Sequence, residues 1–556
     1  MRRVIYPGLC LSLLLLLTAC ANGHQPSPYQ AAMEQAYAPD QPGATAVVSR
    51  EGEILFQGAA GLVHMELGLP LEAEHRLRLA SVSKQYTAAA ILKLADEGKL
   101  ALDDPLERFL PDYPQGEVTV HQLLNHSSGI ASYTSIPGYM MDERIRRDLG
   151  THDLIQVFAD REPDFEPGED WLYNNSGYVL LGAIIEEISG KPWHEYIREA
   201  LLSPAGINET GYFSHEEIVP GRVPGYQAGE TVSNAPWISM SQPHAAGALY
   251  GSAMDVDRWQ RRLHGGELLS DEHYQAMIRA DEIATGVVNG DDYGYGLILG
   301  EWRDQDLIHH GGGIHGFNTY AMYLPESALS VVVLSNHAGH EPAPAIMARR
   351  LAAIALGEPY PVEKERIQVD PDRLDELVGT YEIEEGVIRT LRVDEEGRLI
   401  SQRQGGRAFP VEAVSPDRFV FATSLSYFDV ERDGDGQVVA LRFHQQGAPD
   451  YERAEKVSDD ILEPEAIELD EAQMERLTGL YQIQPGFTLR VFIHDGGLHA
   501  QATGQGPVPL EATTPSRLRN QQFGLELVFD LPEHGPADSL TLHQAGQEIP
   551  APRIEE

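Results

Sequence analysis

Cysteine is nearly missing from this chain: Cys10 and Cys20 are the only two in 556 residues. Cleavage behind Ala19 would leave Cys20 alone, so no disulfide within the mature chain and no cysteine metal site can form. Basic residues are scarce as well, with 41 Lys and Arg against 85 Asp and Glu, a formal net charge of -44. Nucleic acid and anionic membrane surfaces require a basic face, so neither is expected as a partner. The acidic balance favours cationic ligands at long range, and it equally suits a soluble surface in a salty habitat. Long apolar runs are absent too. Residues 9–17 form the one apolar stretch of note, and it is too short to span a bilayer. No G-x-S-x-G occurs, which disfavours an α/β-hydrolase.

What is present begins with a processing segment. Arg2 and Arg3 precede the apolar run, and residues 1–20 read as a signal peptide. Its end, Leu17-Thr18-Ala19-Cys20, resembles the bacterial lipoprotein cleavage box. That resemblance implies lipidation of Cys20, with ordinary cleavage after Ala19 as the alternative. Ala21 in place of an aspartate then favours the outer membrane. The expectation is an exported protein on the periplasmic face, touching the membrane only through that anchor. Residues 21–29 would serve as a polar tether.

Residues 30–362 mix helices and strands. Apolar periodicity predicts strands at 44–49, 54–59, 319–324 and 330–335, and helices at 85–97, 178–188 and 345–355. Beyond Pro361 the helical period fades and an internal repeat takes over. Leu374-x-x-Leu377-x-Gly379-x-Tyr381 recurs as Met474-x-x-Leu477-x-Gly479-x-Tyr481, and Gly386 is matched by Gly486. Pro410-Val411-Glu412-Ala413 recurs as Pro509-Leu510-Glu511-Ala512. Residues 363–462 and 463–556 are therefore predicted to be two all-β modules, each of about eight short strands closed into a small barrel. Neither carries a catalytic cluster.

Chemistry concentrates in three places. Ser81-Val82-Ser83-Lys84 lies where a strand-like run, residues 75–79, gives way to the first long helix. An amine one turn from a serine can accept its proton, and a helix N-terminus favours the charge that develops. Tyr173-Asn174-Asn175 precedes the second helix. A lysine nearby would lower the tyrosine pKa and let it act as base and acid, while the Asn175 amide could hold Lys84 or a substrate amide. The third place is His309-His310-Gly311-Gly312-Gly313, between a strand-like run and a hairpin. Glycines let a backbone come close to a ligand, so the N–H groups of Ser81 and Gly313 are the expected oxyanion hole. Gly311-x-Gly313-x-x-Gly316 has dinucleotide spacing, but strands rather than a helix follow it. The nearby histidines lack carboxylate or cysteine ligands at metal spacing. Neither cofactor nor metal is expected.

In that order, Ser81-x-x-Lys84, Tyr173-x-Asn175 and His310-x-Gly312 resemble the three motifs of the class C β-lactamase superfamily. Its members include D-alanyl-D-alanine carboxypeptidases, D-aminopeptidases and lactamase-like esterases. The resemblance spans roughly residues 30–356 and implies an antiparallel sheet flanked by helices, ahead of the two barrels. It implies an acyl-enzyme on Ser81, with Lys84 and Tyr173 in proton transfer and Asn175, His310 and Gly312 as positioning residues. One departure stands out. Lactamases of this class carry Lys-Thr-Gly as the third motif, where this chain has His310-Gly311-Gly312. A histidine is mostly neutral at pH 7, so carboxylate-bearing β-lactams lose a cation. Histidine here is a feature of D-aminopeptidase-like and esterase-like relatives, and the D-aminopeptidases share the plan of one catalytic domain and two barrels.

The expected function is hydrolysis of D-amino-acid amides or small peptides, with little β-lactam turnover. The alternatives are a lactamase-like esterase and a catalytically silent sensor of penicillin or cell-wall fragments. The oligomeric state stays open.

Overall fold

The computed structural model describes residues 26–554, except 230, 385–386, 405, 463–465, 485–486, 495, 504–505, 521–522, 533 and 545–546. Cys20, the expected signal segment, most of the expected tether, Gly386 and Gly486 lie outside the described residues.

A seven-stranded antiparallel sheet organises the N-terminal unit. In chain order its strands are β1 (Ala44–Arg50), β2 (Glu53–Ala60), β3 (Asp292–Tyr293), β4 (Ile298–Trp302), β5 (Gln305–Ile314), β6 (Phe317–Leu324) and β7 (Leu329–Ser335). Across the sheet they run β3-β4-β5-β6-β7-β1-β2, so sequence-distant β1 and β7 meet, with Val47 opposite Val332. Both strands are buried along almost their whole length, because helices cover both faces of the sheet. Alternation sorts their side chains. Val47, Val332 and Leu334 enter one core with helices α2 (Lys84–Asp96), α3 (Asn175–Ser189) and α4 (Ala253–His264). Ala46, Val48, Val331 and Val333 enter the other with α1 (Pro28–Ala36) and α5 (Pro344–Ala355).

Two local expectations need correction. The strand before Ser81 is only Leu77–Arg78, and Ser81 sits in a 3-10 turn, Ala80–Ser83, that feeds α2. The glycine run after His310 does not lie between strands: it is part of β5, with Gly312 paired to Thr319. Glycine carries no β signal of its own, so partners on β6 impose the strand.

The first C-terminal module is a closed barrel of eight antiparallel strands, from Gly379–Glu384 to Glu452–Ser458. The second is a sheet of nine strands. Its outer strands, Val508–Pro509 and Glu511–Thr514, are neighbours in sequence, so the ring is nearly closed. In the first barrel one strand, Ala408–Ser415, covers the corresponding stretch. The second breaks it at Leu510, whose N–H bonds the Leu498 carbonyl at 2.8 Å. Val414, Val420 and Leu425 of the first barrel share a core with Tyr360 and Val362, which seats that barrel against the sheet domain.

Candidate active site

Ser81 is presented by a strained turn. Its neighbour Ala80 has φ of 49°, a left-handed conformation costly for a residue with a side chain. Packing holds the strain. The Leu79 carbonyl accepts from Thr319 Oγ1 at 2.8 Å, and the Leu79 N–H donates to the Leu249 carbonyl at 2.8 Å. Gly312 allows β5 to press against this turn. A Cβ there would fall 2.5 Å from the Leu79 oxygen and 2.4 Å from Thr319 Oγ1. Gly313, the next residue along β5, is exposed, while Ser81 is half-buried between buried Ala80 and Val82.

Lys84 opens α2 and is fully buried. Its Nζ donates to Asn175 Oδ1 at 2.7 Å and to the Ala246 carbonyl at 3.0 Å, and stands 3.4 Å from Ser81 Oγ. The rings of Tyr173 and Tyr178 flank it, at 4.7 and 5.3 Å to their centroids. Among the described residues no carboxylate pairs with it, and burial holds its pKa well below the ordinary lysine value. A neutral amine has two N–H donors and one lone pair. Asn175 and Ala246 take the donors, which leaves the lone pair for the Ser81 hydroxyl. Asn175 is itself oriented: its Nδ2 donates to Thr134 Oγ1 at 3.0 Å, so its Oδ1 faces Lys84. The α3 N-terminus that carries it is capped by Asn174, whose Oδ1 accepts from the Gly177 N–H at 2.8 Å.

Tyr173 precedes that cap. Its ring is half-buried, and its hydroxyl oxygen is enclosed without a well-aligned hydrogen bond. Burial raises its pKa above the ordinary tyrosine value, and the adjacent Ser81 hydroxyl offsets part of that rise. This reverses the expectation that lysine would lower it. Desolvation of the phenol itself dominates, so Tyr173 is protonated at neutral pH.

His310 is buried as well. Its Nδ1 lies 2.6 Å from the Gly311 carbonyl, so Nδ1 carries the proton. Its Nε2 then accepts from the Tyr293 hydroxyl at 3.2 Å. Burial, with Lys84 nearby, lowers its pKa to about 3, so the ring is neutral and offers no free donor to a ligand. His126 packs against Tyr173, Tyr293 and Tyr178 at centroid distances of 4.5, 4.6 and 5.2 Å. Its Nδ1 accepts from the Asn174 N–H at 3.2 Å. It is a buried turn residue beside the site. His315, in the turn after β5, is half-buried. Sequence reasoning missed Tyr293, Thr134 and the Ala246 carbonyl. Tyr293 and Thr134 stand outside the three motifs, and a carbonyl leaves no trace in a sequence.

A half-exposed hydroxyl thus stands 3.4 Å from a buried amine, with a phenol alongside. The chain belongs to the beta-lactamase family, whose model matches residues 30–356. It is similar to Penicillin-binding protein 4* of Bacillus subtilis strain 168, 26% identical over 69% of this chain and 88% of that one. It is also similar to a D-aminopeptidase of Gluconobacter oxydans strain 621H, 26% identical over 61% of this chain and 63% of the relative. Among solved structures it resembles a D-stereospecific amidohydrolase from Streptomyces sp., with TM-score 0.50 and 29% identity over 56% of this chain and 95% of that one.

Proposed function

We propose that this hydrolase cleaves the amide bond of D-amino-acid amides or short peptides through an acyl-enzyme on Ser81. The observation that carries the reading is the arrangement of Lys84, whose two N–H donors are occupied while 3.4 Å separates its nitrogen from Ser81 Oγ. Lys84 takes the serine proton as Oγ attacks the substrate carbonyl. The backbone N–H groups of Ser81 and Gly313 receive the oxyanion. Tyr173 gives its proton to the departing nitrogen, and the Lys84 ammonium reprotonates the phenolate. Water then attacks the acyl-enzyme along the reverse proton path.

The substrate class is supported by the D-aminopeptidase and D-stereospecific amidohydrolase relatives and by the uncharged third motif. A β-lactam carboxylate finds no cation in His310. Initial rates on D-alanine p-nitroanilide, L-alanine p-nitroanilide, p-nitrophenyl acetate and benzylpenicillin test this. The D-anilide is expected to exceed its L-enantiomer by at least about tenfold, the scale of one discriminating contact. Ester turnover with neither anilide cleaved would assign a lactamase-like esterase. A stable penicillin adduct without turnover of any substrate would assign a binding protein.

A further inference from the structure

The two barrels are copies of one plan, yet three matching interior positions carry different side chains, two of them polar in the first barrel and apolar in the second. Register makes the match. Tyr381 pairs with Arg389 where Tyr481 pairs with Leu489. Leu391 pairs with Ser401 where Val491 pairs with Ala500, and Phe428 with Phe443 where Leu527 pairs with Leu542. The second barrel therefore fills these positions with Leu489, Ala500 and Leu542, all part of its apolar core. The first fills them with a guanidinium, a hydroxyl and an aromatic ring.

Arg389 is only 6% exposed. Its guanidinium lies 3.9 Å over the Phe443 ring, and Nη1 donates to Ser401 Oγ at 3.1 Å. Its Nε has no hydrogen-bond partner, and among the described residues Arg389 has no ion-pair partner; Glu452 acts on it only at longer range. Burial accordingly lowers its pKa to about 10. An unpaired buried cation opposes folding, and the second barrel shows that leucine serves the same plan. A local rule broken in one copy and kept in the other marks a functional position.

The guanidinium faces a cavity of about 250 Å³ lined by Ser401, Phe409, Phe421, Ser424 and Phe443. Arg403 and Arg407 line it too, and Glu526 of the second barrel is the single carboxylate among its lining residues. Glu526 accepts from Gln404 Nε2, another residue of the cavity wall, at 3.3 Å and stands 3.8 Å from Arg517. The second barrel has a matching hollow of about 360 Å³, lined by Leu489, Ala500, Val508 and Leu542 among others. In a chain of net charge -44, a basic and aromatic cavity stands against the general composition.

We propose that the first barrel is a binding site for a small carboxylate with a compact apolar body. The carboxylate docks on Arg389 and Ser401, and the body lies between Phe409, Phe421 and Phe443. The site is separate from Ser81 and does not depend on the reaction assigned there.

Calorimetric titration of the full chain with phenylacetate, and with its neutral isostere phenylacetamide, tests this. Phenylacetate should bind at least about tenfold more tightly than the amide, the scale of a charge-assisted hydrogen bond. Arg389→Leu should abolish that preference, leave hydrolysis at Ser81 unchanged and give an equal or higher melting temperature without ligand. Undiminished phenylacetate binding by the variant overturns the proposal, as does absence of binding to the parent chain. A melting temperature several degrees lower in the variant also overturns it, since Arg389 would then be a structural residue.

Discussion

Lys84→Met lowers kcat by about 10⁴-fold or more, and adding Ser81→Ala to it costs little further, because residues that act as one unit fail together. Methionine keeps the length of the apolar stem, with sulfur in place of one methylene, and removes the nitrogen. The variant leaves Asn175 Oδ1 and the Ala246 carbonyl without their donor. The expected stability loss is about 1–3 kcal/mol for each acceptor left buried and unpaired, so a folded protein should still be recovered. Kinetics on p-nitrophenyl acetate, with a denaturation curve for each variant, separate lost chemistry from lost fold. The pH profile supplies a second reading. Lys84 is a base only when unprotonated, and burial holds its pKa down. As pH rises through that depressed value, kcat/KM should climb along a one-proton limb and then level. Tyr173 must stay protonated, and its pKa is raised, so the alkaline fall is displaced upward rather than into the neutral range. An acid limb that persists in the residual activity of Lys84→Met would assign it to another group.

The uncharged third motif bears on what the site rejects. In this protein the motif histidine faces inward, tied to Tyr293 and to the backbone of Gly311. It therefore supports β5 beside the Ser81 turn instead of meeting a ligand. A carboxylate placed at the third motif would gain no charge-assisted bond there, a deficit of about 1.5–3 kcal/mol per contact.

Much of this was legible in the sequence, and the rest was hidden for identifiable reasons. Apolar periodicity located α2, α3 and α5 and the central strands because both faces of the sheet and one side of each helix are buried in continuous cores. The spacing of Ser81 and Lys84 was readable because a helical turn dictates it. The strand character of residues 311–313 was not, since three glycines have no preference that a reader could detect. Nor was the ionisation of Tyr173. Its pKa depends on how deeply the phenol itself is buried, and that is decided by neighbours such as His126, Tyr293 and His310, far away in the chain. The repeat in the barrels was visible from Gly379-x-Tyr381 and Gly479-x-Tyr481. The difference between Arg389 and Leu489 acquires meaning only when the register shows both facing the same interior.

Tyr173→Phe separates the two roles a phenol could play. If Tyr173 removes the serine proton, every substrate suffers alike, because acylation always begins with that step. If it donates to the leaving group, the loss depends on what leaves. An amine must be protonated as it departs, whereas p-nitrophenolate is stable without a proton. The raised pKa of Tyr173 and the free lone pair of Lys84 both favour the donor role. Phenylalanine preserves the ring that packs against Lys84 and His126, so the site geometry should survive. The expected result is a fall of about 10²–10⁴-fold on D-alanine p-nitroanilide, the usual scale of general acid catalysis, with a much smaller loss on p-nitrophenyl acetate. Equal losses on both substrates would return the general base to Tyr173 and leave Lys84 as an electrostatic partner.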